Sequence, residues 1–370
     1  MIDLSTLDQE TRRLLDLHGF EHVPFERLAR RLREQGLDPA RDRLQVPVAL
    51  PPQGALLPLP EPGTAEHLRI AGIGREAIAA GQVGAIVLNG GMATRFGGTA
   101  KGVVPAAAGR SFLDLKLSQV ARAGGGRVPA LLMNSFATER VTATHLAGLD
   151  PGCAVRQFTQ MISLRLTPEG DLFLGTDGKP SLHAPGHGDL PFALRVSGEL
   201  DRFVLGGGRY LTLSNVDNLG AALDPAVIGC HVDGGRPITV ELVDTDPGDV
   251  GGFPALVQGR LTIVEAFRLP LGFDVTTIPV FNTNTFVFDA RALADAPDLE
   301  WFSVEKTVEG RRAVQFERLV GQLTDFFETT WLRVPRRGPG SRFLPIKIPS
   351  DLLERARELE ELLACQGVSG

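Results

Sequence analysis

From residue 83 onward the chain alternates short apolar runs with stretches of helical spacing, and the apolar runs end in small polar or glycine-rich clusters. Val83–Leu88 ends at Asn89-Gly90-Gly91, the run 128–133 at Asn134-Ser135, and 209–213 at Ser214-Asn215-Val216-Asp217. Further strands are expected at 238–243, 261–265 and 281–288, with helices over 112–123 and 138–147. Apolar runs without polar alternation are strands buried on both faces. Such strands alternating with helices predict an α/β fold built on a doubly wound sheet. Ligands of such sheets bind beyond the carboxyl ends of the strands, where these polar clusters fall.

The flanking regions read differently. Leu7, Leu14, Leu15, Phe25, Leu28 and Leu32 recur at helical spacing, Ser5-x-x-Asp8 reads as a capping box, and 64–81 as a further helix. The proline-rich stretch 47–62 reads as an irregular connector. Phe316, Leu319, Val320, Leu323, Phe326 and Phe327 predict a late helix, and 350–364 another with Ser350 as its N-cap. The chain therefore divides into a helical N-terminal region over 1–82, an α/β domain over 83–349 and a short C-terminal helix over 350–370.

Composition narrows the function. With 43% apolar residues the chain can bury a large core, so its 43 glycines call for a reason in local backbone geometry. The net charge of −6 disfavours a general nucleic-acid binder, and no apolar run approaches the ~18 residues that a membrane span needs. The start, Met1-Ile2-Asp3-Leu4, is no signal peptide, and Cys153, Cys230 and Cys365 are scattered. Both point to a reducing cytoplasm. Only five basic residues are lysines (101, 116, 179, 306 and 347), and this arginine bias with abundant alanine points to a GC-rich bacterial genome.

The loop after Val83–Leu88 runs Asn89-Gly90-Gly91-Met92-Ala93-Thr94-Arg95-Phe96-Gly97-Gly98-Thr99-Ala100-Lys101. Its glycines admit backbone N–H groups to phosphate oxygens, and Arg95 and Lys101 add cations. The spacing is neither that of a Walker A loop nor that of the dinucleotide fingerprint.

This loop resembles the nucleotide-binding loop of the UTP–glucose-1-phosphate uridylyltransferase family, and other segments resemble the family in its order. Leu132-Met133-Asn134-Ser135-Phe136-Ala137-Thr138 is similar to M-N-S-F-x-T, and Phe158-Thr159-Gln160 to F-x-Q. Pro185-Gly186-His187-Gly188-Asp189 resembles P-G-H-G-D, and Ser214-Asn215-Val216-Asp217-Asn218-Leu219-Gly220 resembles S-N-[IV]-D-N-L-G. Phe281-Asn282-Thr283-Asn284 resembles F-N-T-N, and Arg342-Phe343-Leu344-Pro345-Ile346-Lys347 resembles R-F-L-P-V-K.

The resemblance implies a Rossmann-like, GT-A-like nucleotidyltransferase with a mixed sheet and a helical N-terminal extension. It implies Mg²⁺-assisted attack of glucose-1-phosphate on the α-phosphate of UTP. Lys101 and Lys347 would contact phosphates, Arg95 the β- and γ-phosphates, and Asp217 the Mg²⁺. Leu88, Asn89, Gly90, Gly91, Gln160 and Gly186 would bind the nucleotide, the glycines by admitting backbone close to it. His187 would donate to the sugar phosphate, and Asn215, Asn282 and Asn284 would bind sugar hydroxyls. Glu265 and Glu241 are either further hydroxyl contacts or partly exposed strand carboxylates.

Two departures matter. Arg95 is similar instead to the G-x-G-T-R loops of N-acetylglucosamine and bacterial sugar-1-phosphate enzymes. It keeps open the same chemistry on N-acetylglucosamine-1-phosphate, galactose-1-phosphate or a broad range. The acidic stretch 244–249 stands where the family has basic residues, and is either a lid or a plain loop. The chain ends before the β-helix that joins subunits of the eukaryotic glucose enzymes, so a monomer or a small homo-oligomer built another way is expected. A nucleotide-sugar-binding protein without catalysis would lack one of Lys101, Lys347 and Asp217, and all three are present.

Overall fold

The computed structural model describes Leu4 and residues 7–93, 96–338 and 340–368. Eight strands form the central sheet: β1 (Leu56–Pro58), β2 (Val83–Leu88), β3 (Ala130–Asn134), β4 (Val155–Thr159), β5 (Tyr210–Asn215), β6 (Ile238–Asp244), β7 (Val280–Asp289) and β8 (Thr329–Arg333). Their spatial order is β1-β8-β6-β7-β5-β2-β3-β4. β7 runs antiparallel to β5 and β6, and every other pair is parallel. The sheet is thus mixed.

Helices cover both faces. In chain order they are α1 (Gln9–Leu17), α2 (His22–Gln35), α3 (Ala65–Ala79), α4 (Phe112–Gly124), α5 (Glu139–Leu146), α6 (Leu190–Val196), α7 (Glu199–Leu205), α8 (Pro225–Gly234), α9 (Ala290–Ala294), α10 (Pro349–Glu354) and α11 (Ala356–Cys365). Successive strand side chains point to opposite faces. Ala85 and Val87 of β2 therefore pack with α3, α4, α8 and α11, through Ile78, Leu113, Val227 and Leu362. Ile86 packs on the other face with Leu194, Phe203 and Leu293 of α6, α7 and α9.

α1 and α2 form a satellite cluster. Leu7, Leu15, Phe25, Leu28 and Leu32 meet Leu164, Leu166, Val314 and Phe316. Asp8 caps α1 by accepting from the Thr11 N–H at 2.9 Å, while Ser5 lies outside the described residues. Among the described residues no helix is long and apolar enough to cross a membrane.

Several expectations change. The stripe from Phe316 to Phe327 is no helix: Arg311–Glu317 pairs antiparallel with Phe302–Val308, and Val320–Asp325 is a single 3₁₀ segment. Val314 and Phe316 alternate inward from a strand, and the turn that follows mimics helical spacing. The stretch 350–364 breaks at Arg355 into α10 and α11. Ser350 lies within α10, and Asp351 caps it instead. The connector contributes β1, an edge strand, where Pro58 costs no ladder bond. The strand at 260–265 belongs to a separate three-stranded sheet.

Candidate active site

The registers Asn215↔Leu88 and Leu88↔Met133 bring the carboxyl ends of β5, β2 and β3 to one level. Above them lies a cavity of about 380 Å³, lined by Leu88, Gly90, Gly91, Lys101, Gln160, Gly186, His187, Asn215 and Asp217. A second, of about 270 Å³, shares His187, Asn215 and Asp217 and adds Glu265, Asn282, Asn284 and Lys347. The sequence-derived residues thus converge, with two exceptions. Arg95 lies outside the described residues. Asn89 lines neither cavity.

Asn89 is wholly buried beneath the loop. Its Nδ2 donates to Asn134 Oδ1 at 2.7 Å and to Thr142 Oγ1 at 2.9 Å. It ties the end of β2 to β3 and α5, while the Ser135 hydroxyl donates to the Gly90 carbonyl at 2.8 Å. A Cβ on Gly90 would lie 2.0 Å from Gln160 Nε2, so a side chain there would displace the Gln160 amide. Among the described residues the Gln160 Oε1 is buried without a hydrogen-bond partner. The Gly186 corner supports its neighbours rather than only a ligand: a Cβ on Gly188 would lie 2.3 Å from the Arg318 backbone.

Asp217 and Lys347 are brought together by a staple between their two segments. Asn218 Oδ1 accepts from the Leu344 N–H at 2.9 Å, and its Nδ2 donates to the Arg342 carbonyl at 3.3 Å. The Ile346 N–H donates to the Asp217 carbonyl at 3.2 Å. Asp351 then accepts from the Lys347 N–H at 2.6 Å. Arg342 anchors this segment to β6 through both oxygens of Glu241, at 2.5 and 2.6 Å. Glu241 is therefore buried and lines neither of these two cavities. Lys101 lies across the first cavity, its Nζ 3.8 Å from the Phe96 ring centroid, and its N–H donates to the Gly91 carbonyl at 3.1 Å.

The asparagines are placed by a bulge. The β6–β7 register shifts between Glu241, opposite Thr285, and Leu242, opposite Asn282. Asn284, at φ +56°, turns its Nδ2 to Asn215 Oδ1 at 3.1 Å, and its N–H donates to Asn282 Oδ1 at 3.0 Å. Bulges of this kind re-aim side chains beside active sites.

The electrostatics are equally local. Burial raises the Asp217 carboxyl above the usual carboxylate range, while Lys101, Lys116 and Lys347 pull it down. Burial pushes Glu265 up to about 7. Burial drives His187 down to about 4, so its ring is neutral near pH 7. Its Nδ1 accepts from the Val320 N–H at 3.1 Å, which leaves the ring proton on Nε2.

The profile of the UTP–glucose-1-phosphate uridylyltransferase family matches residues 67–364, spanning every element of this site. The chain belongs to that family. It is 33% identical over 286 residues to the UTP–glucose-1-phosphate uridylyltransferase of Astragalus penduliflorus, covering 72% of this chain and 60% of that one. To the Saccharomyces cerevisiae enzyme it is 33% identical over 290 residues, covering 72% and 57%. The chain thus spans less than two thirds of the length of these relatives. Its fold is similar to that of a UDP-glucose phosphorylase from Trypanosoma brucei, with a TM-score of 0.72 at 24% identity over 90% of this chain and 73% of that one. It is also similar to that of a uridine diphosphate N-acetylglucosamine pyrophosphorylase from the same organism, with a TM-score of 0.69 at 18% identity over 91% and 80%.

The acidic stretch that departs from the family pattern is pinned down by arginines. Asp246 pairs with Arg336 and Arg337 at 2.7 and 2.6 Å, Asp249 with Arg336 at 2.8 Å, and Asp244 with Arg333 at 2.6 Å. Each of these carboxylates thus has an arginine partner.

No motif marks Lys116, yet it lies fully buried behind the Asp217 loop, where its Nζ donates to the Ala221 carbonyl at 2.7 Å. Its place in the apolar run of α4 was the available signal. Burial, then Arg342, pushes its pKa down to about 7, against Asp217 and Glu241. The folded chain thus loses a proton that the unfolded chain keeps between pH 7 and the ordinary lysine range. Stability must rise with pH across that window, by up to about 1.4 kcal/mol per unit. Denaturant unfolding at pH 7 and pH 9 is expected to show this rise in the wild type and a flatter response in Lys116→Met. An identical pH response in both would remove Lys116 as its source.

Proposed function

We propose that the chain transfers a uridylyl group, converting UTP and glucose-1-phosphate to UDP-glucose and pyrophosphate. An oxygen of the sugar phosphate bonds to the α-phosphorus of UTP. The bond from that phosphorus to the β-phosphate oxygen breaks, and pyrophosphate leaves. The attacking oxygen is already anionic, so the site must supply positioning and positive charge rather than a strong base. One observation carries the reading: two cavities meet at Asp217, one lined by Lys101 and the other by Lys347.

The first cavity takes the nucleotide. The unpaired Gln160 Oε1 and its amide NH₂ match the donor and acceptor of a uracil edge. Leu88, Gly90, Gly91 and Gly186 form the walls around it. The second cavity takes the sugar, with Asn215, Asn282, Asn284 and Glu265 facing its hydroxyls. His187 donates its Nε2–H to the sugar phosphate at the junction. Arg95 is assigned to the β- and γ-phosphates on its loop position alone.

The residues present suit Mg²⁺. No group of three or more His, Cys, Asp or Glu that could hold a metal exists among the described residues, and Asp217 is the carboxylate at the junction. Mg²⁺ favours one or two carboxylates with phosphate oxygens and waters. Asp217 would hold it, and the ion would neutralise phosphate charge. The unbridged cysteines support a cytoplasmic setting. The relatives named above are eukaryotic, so a bacterial source rests on residue usage alone.

A second reading keeps the chemistry and changes the sugar, as the loop around Arg95 suggests. The test is pyrophosphate release from UTP and Mg²⁺ with a panel of sugar-1-phosphates. Glucose-1-phosphate is expected to give the highest kcat/KM. Preference for N-acetylglucosamine- or galactose-1-phosphate would replace glucose, and no release with any sugar would overturn the reading.

A further inference from the structure

Arg318 heads the fully buried side chains by volume and lines neither cavity. Its Nε donates to Asp189 Oδ1 at 2.6 Å and its terminal nitrogen to Glu21 Oε2 at 2.5 Å. Its guanidinium lies 4.1 Å from the Phe192 ring centroid and 4.3 Å from that of Trp301. A buried cation is costly unless paired, and two carboxylates from distant segments meet this one. Asp189 ends the loop that carries Gly186 and His187, whereas Glu21 stands at the start of α2.

The backbone of Arg318 grips the same loop. The Gly188 N–H donates to the Arg318 carbonyl, and the Arg318 N–H to the Pro185 carbonyl, both at 2.9 Å. Two residues on, the Val320 N–H holds His187 Nδ1. The segment 318–320 is thus a rail under the loop, and the Arg318 side chain fastens the rail to the loop's far end.

We propose that Arg318 is a positioning residue that holds His187 with Nε2–H toward the cavities, and that Glu21 makes the N-terminal helices part of this device. The helices α1 and α2 then serve the site without touching substrate. This rests on the reading that His187 donates to the sugar phosphate. Slippage of the loop by a fraction of an ångström would spoil that donor, and misplacements near 1 Å cost about 100-fold.

The test uses Arg318→Met, Arg318→Lys, Glu21→Gln and His187→Ala in the full chain. The first readout is the His187 tautomer in ¹⁵N-histidine-labelled protein without substrate, assigned by comparison with His187→Ala. The wild type is expected to show Nε2–H, Arg318→Met a tautomer mixture, and Arg318→Lys a largely restored signal. The second is a double-mutant cycle on kcat/KM. Arg318→Met should cost about 10- to 100-fold in the wild type, mainly through KM for the sugar phosphate, and under about twofold on top of His187→Ala. An unchanged tautomer, or an equal loss in both backgrounds, would overturn the proposal. Should Arg318→Met fail to fold, Glu21→Gln, at a partly exposed position, carries the same test with a smaller shift in the same direction. The tautomer readout needs no turnover, so an inactive wild type would refute the uridylyl-transfer reading while still deciding the positioning role.

Discussion

Lys347→Ala is expected to lower turnover by about 10²- to 10³-fold while leaving thermal stability nearly unchanged. The side chain is exposed, so truncation creates no cavity, and Lys101 and Lys116 still offset the charge of the buried Asp217. The backbone around it is held independently, by Asp351 on its N–H and by the Ile346 bond to Asp217. What is lost is a compact ammonium at the edge of the second cavity, beside the place proposed for the sugar phosphate. Lys347→Arg should recover only a small part, because a planar guanidinium does not replace a point charge. Steady-state pyrophosphate release paired with a thermal melt checks both halves. Near-normal turnover in Lys347→Ala would remove this lysine from the phosphate site.

Asp217→Asn is expected to have a comparable or larger effect on turnover, together with loss of the normal response to Mg²⁺ concentration. The substitution keeps the size of the side chain and removes its charge. Burial already raises the Asp217 carboxyl, so the folded state holds a charge it solvates poorly. Stability should therefore change by no more than about 1 kcal/mol. Titrating Mg²⁺ against initial rate in both proteins checks the assignment. A variant that keeps the wild-type Mg²⁺ dependence would place the metal elsewhere.

The sheet was legible because β2 and β3 are uninterrupted apolar runs that end in polar clusters. The polar clusters marked the carboxyl edge, and nearly all of the cavity lining lies there. The direction of the Asn89 side chain is not legible from its motif position. Its amide points down into β3 and α5 rather than up toward a ligand. The stripe 316–327 resembles a helix in sequence because the end of one strand followed by a 3₁₀ turn spaces its apolar residues like a helix. Lys116 and Arg318 escaped notice for a different reason. Each is a charged residue made tolerable by partners more than 100 positions away, and local sequence carries no trace of those partners. The staple of Asn218 to Leu344 is likewise a long-range pairing, yet it sets the Asp217–Lys347 neighbourhood on which the proposed function rests.

The most direct measurement is ³¹P NMR of the purified protein with UDP-glucose, pyrophosphate and Mg²⁺. One phosphoanhydride is exchanged for another, so the reaction must run in both directions. The account predicts growth of the three UTP resonances and of a glucose-1-phosphate signal, to the same final mixture that UTP and glucose-1-phosphate reach from the other side. UDP-glucose that stays intact, or is cleaved to UMP without using pyrophosphate, would contradict it.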